Sequence, residues 1–286
     1  MGVENNCSAC APAELPGLIA QLDAEFIFGR GRKHSLIHRF PALLTPSNHE
    51  NIFVAREQGR IVSAIVVKLF QWITGDRRFS GAMLGMVWTD PQQRGRGHGT
   101  RLLEHVKNEL RHRADFAVLW TSQPAFYERT GWIAGDCAVL GQTAGSGNTG
   151  SARPAVNFES LRAIWKCQPQ RVEREAHWHL PLPVDAETRE VFAAGSAYAI
   201  AGRNGNTLYC YEWLGDDTEF GAILGNMRAG CATLRFNERA GSRACGWLSE
   251  HGVTWENKPL AMWLPLREQG ILDTATDWYI PWLDRI

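Results

Sequence analysis

The sequence contains no long apolar run, no surplus of either charge and no paired set of cysteines, and each absence removes a class of protein. No stretch approaches the roughly 18 consecutive apolar residues of a membrane-crossing helix, so no membrane partner is expected. Lysine and arginine number 30 against 30 aspartates and glutamates, which leaves no net basic surface for nucleic acid. Met1 to Glu14 lacks the basic-then-apolar layout of a secretory leader, and the expected location is cytoplasmic. The seven cysteines, odd in number and scattered, read as reduced core residues rather than a disulfide framework. Cys7 and Cys10 have no second pair at metal-ligand spacing and read as part of a frayed N-terminus. Glu175, His177 and His179 share one face if their segment is a strand. They read as an exposed polar face, and no metal is expected.

Two familiar phosphate signatures are also missing. A P-loop requires Lys-Ser or Lys-Thr after its last glycine, whereas Gly99 is followed by Thr100-Arg101. A dinucleotide fingerprint requires G-x-G-x-x-G, whereas Gly95, Gly97 and Gly99 are spaced by two. What is present is an apolar run from Met83 to Thr89 that reads as a buried strand, stopped by Asp90-Pro91. A loop of Arg94, Gly95, Arg96, Gly97, His98 and Gly99 follows. Leu102, Leu103, Val106 and Leu110 then recur at helical spacing, opposite Glu104, Lys107, Asn108 and Arg111. Glycines let backbone N–H groups converge on one point, and the start of a helix adds unpaired donors and a positive dipole end. With two arginines beside it, this is a site for phosphate.

The length of 286 residues with 44% hydrophobic content allows one large or two ordinary domains with full cores. Ala11–Ile27 carries a helical apolar stripe, Phe28–Lys33 is a basic turn, and Ser35–Leu44 holds a second short helix. Strands follow at Ile52–Arg56 and Ile61–Phe70 about a glycine-containing turn, with a crossing through Thr74-Gly75-Asp76 into the strand described above. After the helix Thr100–Arg113 come a strand at Phe116–Thr121, a short helix around Tyr127 and a strand beginning at Trp132. Gly141–Pro154 has the composition of a linker. Beyond it the order begins again: strands at Val191–Ala201 and Thr207–Leu214 about Asn204-Gly205, a helix at Phe220–Met227, a strand at Ala232–Phe236, a helix at Arg243–His251 and a strand at Leu260–Leu266.

Arg94, Gly97 and Gly99 match R/Q-x-x-G-x-G/A, the pyrophosphate loop of the GNAT superfamily of N-acetyltransferases. The resemblance extends upstream to Val87, Thr89 and Pro91, similar to the end of that family's fourth strand. It extends downstream to Phe126–Trp132 (FYERTGW), which resembles its "fYeklGF" segment. The resemblance implies an α/β (α+β) mixed sheet with helices on both faces, the acyl-CoA N-acyltransferase fold. The two halves are expected to be tandem GNAT-like modules, residues 1–150 with the acetyl-CoA site and residues 151–286 without the pyrophosphate loop.

What the resemblance implies for function is acetyl transfer from acetyl-CoA to a primary amine of a small molecule or protein by direct attack on the thioester. Arg94, Gly95, Arg96, Gly97, His98, Gly99 and Thr100 would hold the pyrophosphate, with the His98 ring toward the nucleotide or solvent. Val87, Trp88 and Thr89 would pair with the pantetheine arm in the cleft between two splayed strands, like an added β-strand. Tyr127 would be the acid for the leaving thiolate, a phenol of pKa about 10 being matched to that task. The base stays open among Asp90, Glu25 and His98. The acceptor walls are expected from Phe26–Ser35, Phe70–Ser80 and the second half, with Trp72 and Trp88 in the core. The alternatives are a non-catalytic acyl-CoA-binding or sensor protein and an acyltransferase that uses another acyl group.

Overall fold

The computed structural model describes residues 6–135, 137–147, 158–174, 182–183, 185–258, 260–267 and 278–286. The Glu175, His177 and His179 face and part of the Gly141–Pro154 linker lie outside them. Among the described residues no group of three metal-ligating side chains and no helix long and apolar enough to cross a membrane is found.

The first half runs β1 (Cys7–Ala9), α1 (Leu15–Phe26), α2 (Leu36–Arg39), β2 (Ile52–Glu57), β3 (Arg60–Thr74), β4 (Arg77–Thr89), α3 (His98–Leu110), β5 (Phe116–Trp120), α4 (Pro124–Glu128), β6 (Ile133–Ala134) and β7 (Ala138–Ala144). Then follow α5 (Phe158–Lys166), β8 (Gln170–Val172), β9 (Thr188–Ala194), β10 (Ala197–Asn204), β11 (Thr207–Leu214), α6 (Asp217–Ala229), β12 (Thr233–Arg239), α7 (Arg243–Glu250), β13 (Thr254–Asn257) and β14 (Ala261–Pro265). The strands form two mixed sheets. One has the order β1-β2-β3-β4-β5-β14-β6 with β8 also on β3, and the other has the order β13-β7-β12-β11-β10-β9.

Each sheet takes strands from across the chain, and the first holds two from beyond residue 150, β8 on β3 as well as β14. β7 precedes the expected division at residue 150, yet it pairs with β12 and β13 of the second sheet. β14 lies far beyond that division, yet it sits between β5 and β6 of the first. The expected boundary follows the sequence; the sheets exchange strands across it.

Apolar stripes dictate how the helices seat. Leu102, Leu103, Val106 and Leu110 of α3 are buried against Ile65, Val67, Ala82 and Leu84 on one face of the first sheet. Leu15, Leu18 and Leu22 of α1, with Leu36 of α2, cover Val54, Ala64, Val66 and Trp88 on the other. Each such side chain contributes roughly 1.5–3 kcal/mol on full burial. In the second sheet Phe220, Ile223, Leu224 and Met227 of α6 pack on Ala199, Ala201, Leu208 and Leu234.

Four expectations need correction. Gly141–Ala144, expected as the start of a linker, is the end of β7 and pairs with Thr233–Phe236 of β12. Cys7–Ala9 is not frayed: it pairs antiparallel with Phe53–Ala55, and Cys10 is buried. Val191–Ala201 is two strands rather than one, because Gly195 adopts φ +46° and turns β9 back onto β10. Phe70–Ser80 does not wall the site. β3 and β4 continue as one long hairpin to Thr74 and Arg77, and its far end is packed by Trp72, Phe79 and Trp278.

Candidate active site

The site begins where two central strands part. β4 and β5 run parallel, and their ladder pairs Gly81 with Phe116, Ala82 with Ala117 and Met83 with Val118. Past Met83 the strands diverge, and the facing residues Leu84–Thr89 and Leu119–Thr121 line an open cavity of about 800 Å³. A second irregularity lies on the other edge of β4. Ala64 pairs with Trp88 and Val66 with Gly85, so Met86 and Val87 together face the single Ile65. This is a β-bulge, with Met86 in the left-handed region at φ +51°. A bulge turns backbone groups out of the ladder, here beside the cavity that Met86 and Val87 line.

At the wide end of the cleft the glycine loop meets α3. Gly97 is the N-cap, at φ +79°, and no side chain caps this helix. The first bond into the helix is Arg101 N–H to the Gly97 carbonyl. The N–H groups of His98, Gly99 and Thr100 are therefore left to the cavity mouth. Gly99 is needed for a second reason: a Cβ there would lie 3.1 Å from Thr89 Oγ1, so its absence lets α3 approach the end of β4. Ser63 holds that strand end by donating to the Trp88 carbonyl at 2.7 Å.

The arginines do less than expected at this mouth. Arg94 donates to the Thr89 carbonyl at 3.1 Å and pairs with Glu25 at 3.1 Å. Arg96 does not line the cavity; its guanidinium lies 3.9 Å from Glu57. The His98 ring is not turned to solvent. It is buried and contacts Arg101 at 2.9 Å, with its Nε2 lacking a hydrogen-bond partner and Glu57 3.8 Å away. The other candidate bases are also engaged, since Asp90 accepts from Gln92 N–H and Glu25 is held by Arg94.

Tyr127 lies on α4 and lines the cavity opposite β4. Its ring is held edge-on by Phe126 at 4.9 Å and Trp132 at 6.0 Å. Its carbonyl takes the Thr130 hydroxyl at 2.8 Å, which locks the turn below it. Burial pushes the phenol up to about 12, so it stays protonated throughout the neutral range. Val87, Trp88, Thr89, Arg94, Gly95, Gly97, His98, Gly99 and Thr100 also border the cavity. Several bordering groups were not anticipated, Ser122 and Gln123 among them. Gln93 lines it with a buried Oε1 that has no partner, and Ile286 arrives from the far end of the sequence. Gln93 directly precedes the recognised loop, but nothing in the pattern around Ile286 points to this place.

The second sheet repeats the geometry and closes it. β11 and β12 run parallel only from Thr207 and Thr233 to Cys210 and Phe236. The Trp213 ring fills the space past this point, against Phe220, Phe236 and Trp247, and its Nε1 donates to Glu238 at 3.0 Å. The following helix α6 is capped by its own Asp216, which accepts from Thr218 N–H at 3.0 Å. A protein carboxylate sits where α3 leaves its donors free.

Residues 25–134 match the family model described as acetyltransferase (GNAT) domain. No curated protein matches the chain. Among solved structures, a GCN5-related N-acetyltransferase from Anabaena variabilis is similar at 15% identity and TM-score 0.67, covering 91% of this chain and 72% of that one. A conserved protein of unknown function from Enterococcus faecalis reaches TM-score 0.69 at 15% identity, with 93% and 74% covered. A tandem GNAT protein from the clavulanic acid biosynthesis pathway reaches TM-score 0.53 at 10% identity, with 92% and 99% covered.

Proposed function

We propose, for a chain whose residues 25–134 match the GNAT acetyltransferase domain and whose fold resembles that of a tandem GNAT protein, an N-acetyltransferase that uses acetyl-CoA and a primary amine. The observation that carries this reading is the uncapped start of α3 opening into the same cavity that continues between the parted strands to Tyr127. The residues present fit an acyl-coenzyme A. The N–H groups of His98, Gly99 and Thr100 and the positive helix end suit a diphosphate, and Gln93 offers an unpaired acceptor. The coenzyme would supply the thioester.

The chain's own part is to bind, orient and exclude. The bulged backbone at Met86–Val87 offers N–H groups to a carbonyl oxygen, where a fixed donor is worth more than in water. Tyr127, neutral at working pH, is a hydrogen-bond donor for a developing thiolate. Its raised pKa lies above the roughly 8.5 of an ordinary thiol, so full proton transfer is uphill, and donation of a hydrogen bond is the larger share of its role. Glu25 and Asp90 are engaged as described and the His98 ring is buried against Arg101, so we assign the proton of the amine to water in the open cavity. Bringing amine and thioester together replaces roughly 7–11 kcal/mol of barrier.

The test is calorimetric titration with acetyl-CoA together with thiol release over a panel of amines. Binding with amine-dependent release supports the reading. Binding without release for any amine supports an acyl-CoA sensor instead, and no binding refutes both.

A further inference from the structure

The segment Trp278–Ile286 carries none of the coenzyme motifs, yet it is the one part of the second half of the chain to reach the cavity among its described lining residues. Trp278 packs with Trp72, Phe79 and Phe116 of the first half. Further on, the segment is held by buried charge. Arg174 donates to the two Asp284 carboxylate oxygens at 2.8 and 2.6 Å and to the two of Glu212 at 3.0 and 2.5 Å. Glu212 also accepts from the Tyr198 hydroxyl at 2.7 Å. Lys68 of β3 donates to the Asp284 main-chain oxygen at 2.6 Å. The Arg285 guanidinium lies 4.6 Å from the centre of the Trp120 ring and donates to Asn237 at 2.7 Å. Ile286 then closes on Gly85 of β4. A Cβ on that glycine would come within 2.9 Å of the Ile286 main chain.

We propose that Lys68 and Arg174 are positioning residues, which fasten this segment so that Ile286 forms the acceptor-side wall of the cavity beside the bulge. The inference rests on the acyl-transfer reading of that cavity. An apolar seam between the sheets would hold them at least as well as a desolvated ion cluster. What a cluster of directed donors adds is a defined position for the main chain they grip. Lys68 and Gly85 belong to the hairpin of β3 and β4, so the strand that carries the bulge and the wall beside it are referenced to one frame. A displacement of about 1 Å at a reacting centre can cost on the order of 10² in rate.

The test uses the full chain with Lys68→Met, and Gly85→Ala as an approach from the cavity side should the first fold poorly. Hydrogen exchange of peptides spanning 278–286 is expected to quicken at least about tenfold while peptides of α3 keep their protection. The amine KM is expected to rise about tenfold or more, with the acetyl-CoA Kd within about twofold, and Lys68→Arg is expected to restore most of the loss. Unchanged exchange in both variants would overturn the clamp. Faster exchange with an unmoved amine KM would overturn the wall. Failure of the unaltered chain to bind acetyl-CoA would defeat the acyl-transfer reading and the wall with it, while the exchange result on the clamp would stand.

Discussion

A carboxylate placed at Gly97 is the most direct challenge to the anion cradle. Gly97 is exposed, at φ +79°, and a Cβ there would meet nothing within 4 Å. Substitution therefore brings no collision, only the left-handed backbone cost of about 1–2 kcal/mol. That cost is carried with and without ligand, so it lowers stability without lowering affinity. For a chain of this size each kcal/mol moves Tm by about 2–4 °C. Gly97→Glu adds a charge beside the donors of His98, Gly99 and Thr100. Two phosphate charges at about 5 Å repel it by roughly 2–6 kcal/mol between water-like and surface-like screening. With the loop open to solvent, the lower half of that range applies. Gly97→Ala should thus lose a few degrees of Tm and keep its acetyl-CoA Kd. Gly97→Glu should lose a similar amount of Tm while Kd weakens by about 30-fold or more. Calorimetric titration of both reads the difference, and equal affinities in the two variants would refute the cradle.

Other outcomes follow from the same geometry. Tyr127→Phe should lower turnover by on the order of 10²–10⁴ with acetyl-CoA affinity nearly intact, and a variant that keeps full rate in steady-state assays would remove the donor role. Because the folded phenol titrates near 12 and the unfolded one near 10, the unfolded chain releases its proton first. Stability is whole below about pH 10 and falls as pH rises through 12, by roughly 2–3 kcal/mol from this group. Urea midpoints at pH 9 and pH 12 should show a smaller drop for Tyr127→Phe than for the unaltered chain, and equal drops would contradict the burial. Arg174→Met strands the buried carboxylates of Glu212 and Asp284, so urea unfolding should show a loss of about 3–5 kcal/mol. A loss under 1 kcal/mol would mean that the cluster is wetter than described.

Apart from α5 (Phe158–Lys166), which was missed, the helices were legible because their signals are local. The stripe Leu102, Leu103, Val106 and Leu110 foretells α3 within two residues at its start and three at its end. Ser35 caps α2, which ends before Phe40-Pro41 as the restriction on residues preceding proline requires. The parting of β4 and β5 and most of the cavity lining came from the motif resemblance. What could not be read is what depends on a distant partner. The strands β1, β8 and β13 span three or four residues and exist because a neighbour offers an edge. The apolar run of β14 is visible in sequence, but nothing in Ala261–Pro265 says that its neighbours are Phe116–Trp120 and Ile133–Ala134. The His98 ring is buried in contact with Arg101, one turn on, an arrangement that a glycine-rich spelling does not encode.

The traded strands have a consequence for how this molecule comes into being. With β14 lodged between β5 and β6, a ribosome that has delivered every motif of the family resemblance by Trp132 has still delivered an incomplete sheet. The gap closes only after Pro265 has emerged, more than a hundred residues later. Until then the nascent chain holds an open edge that must wait, guarded, for its other half.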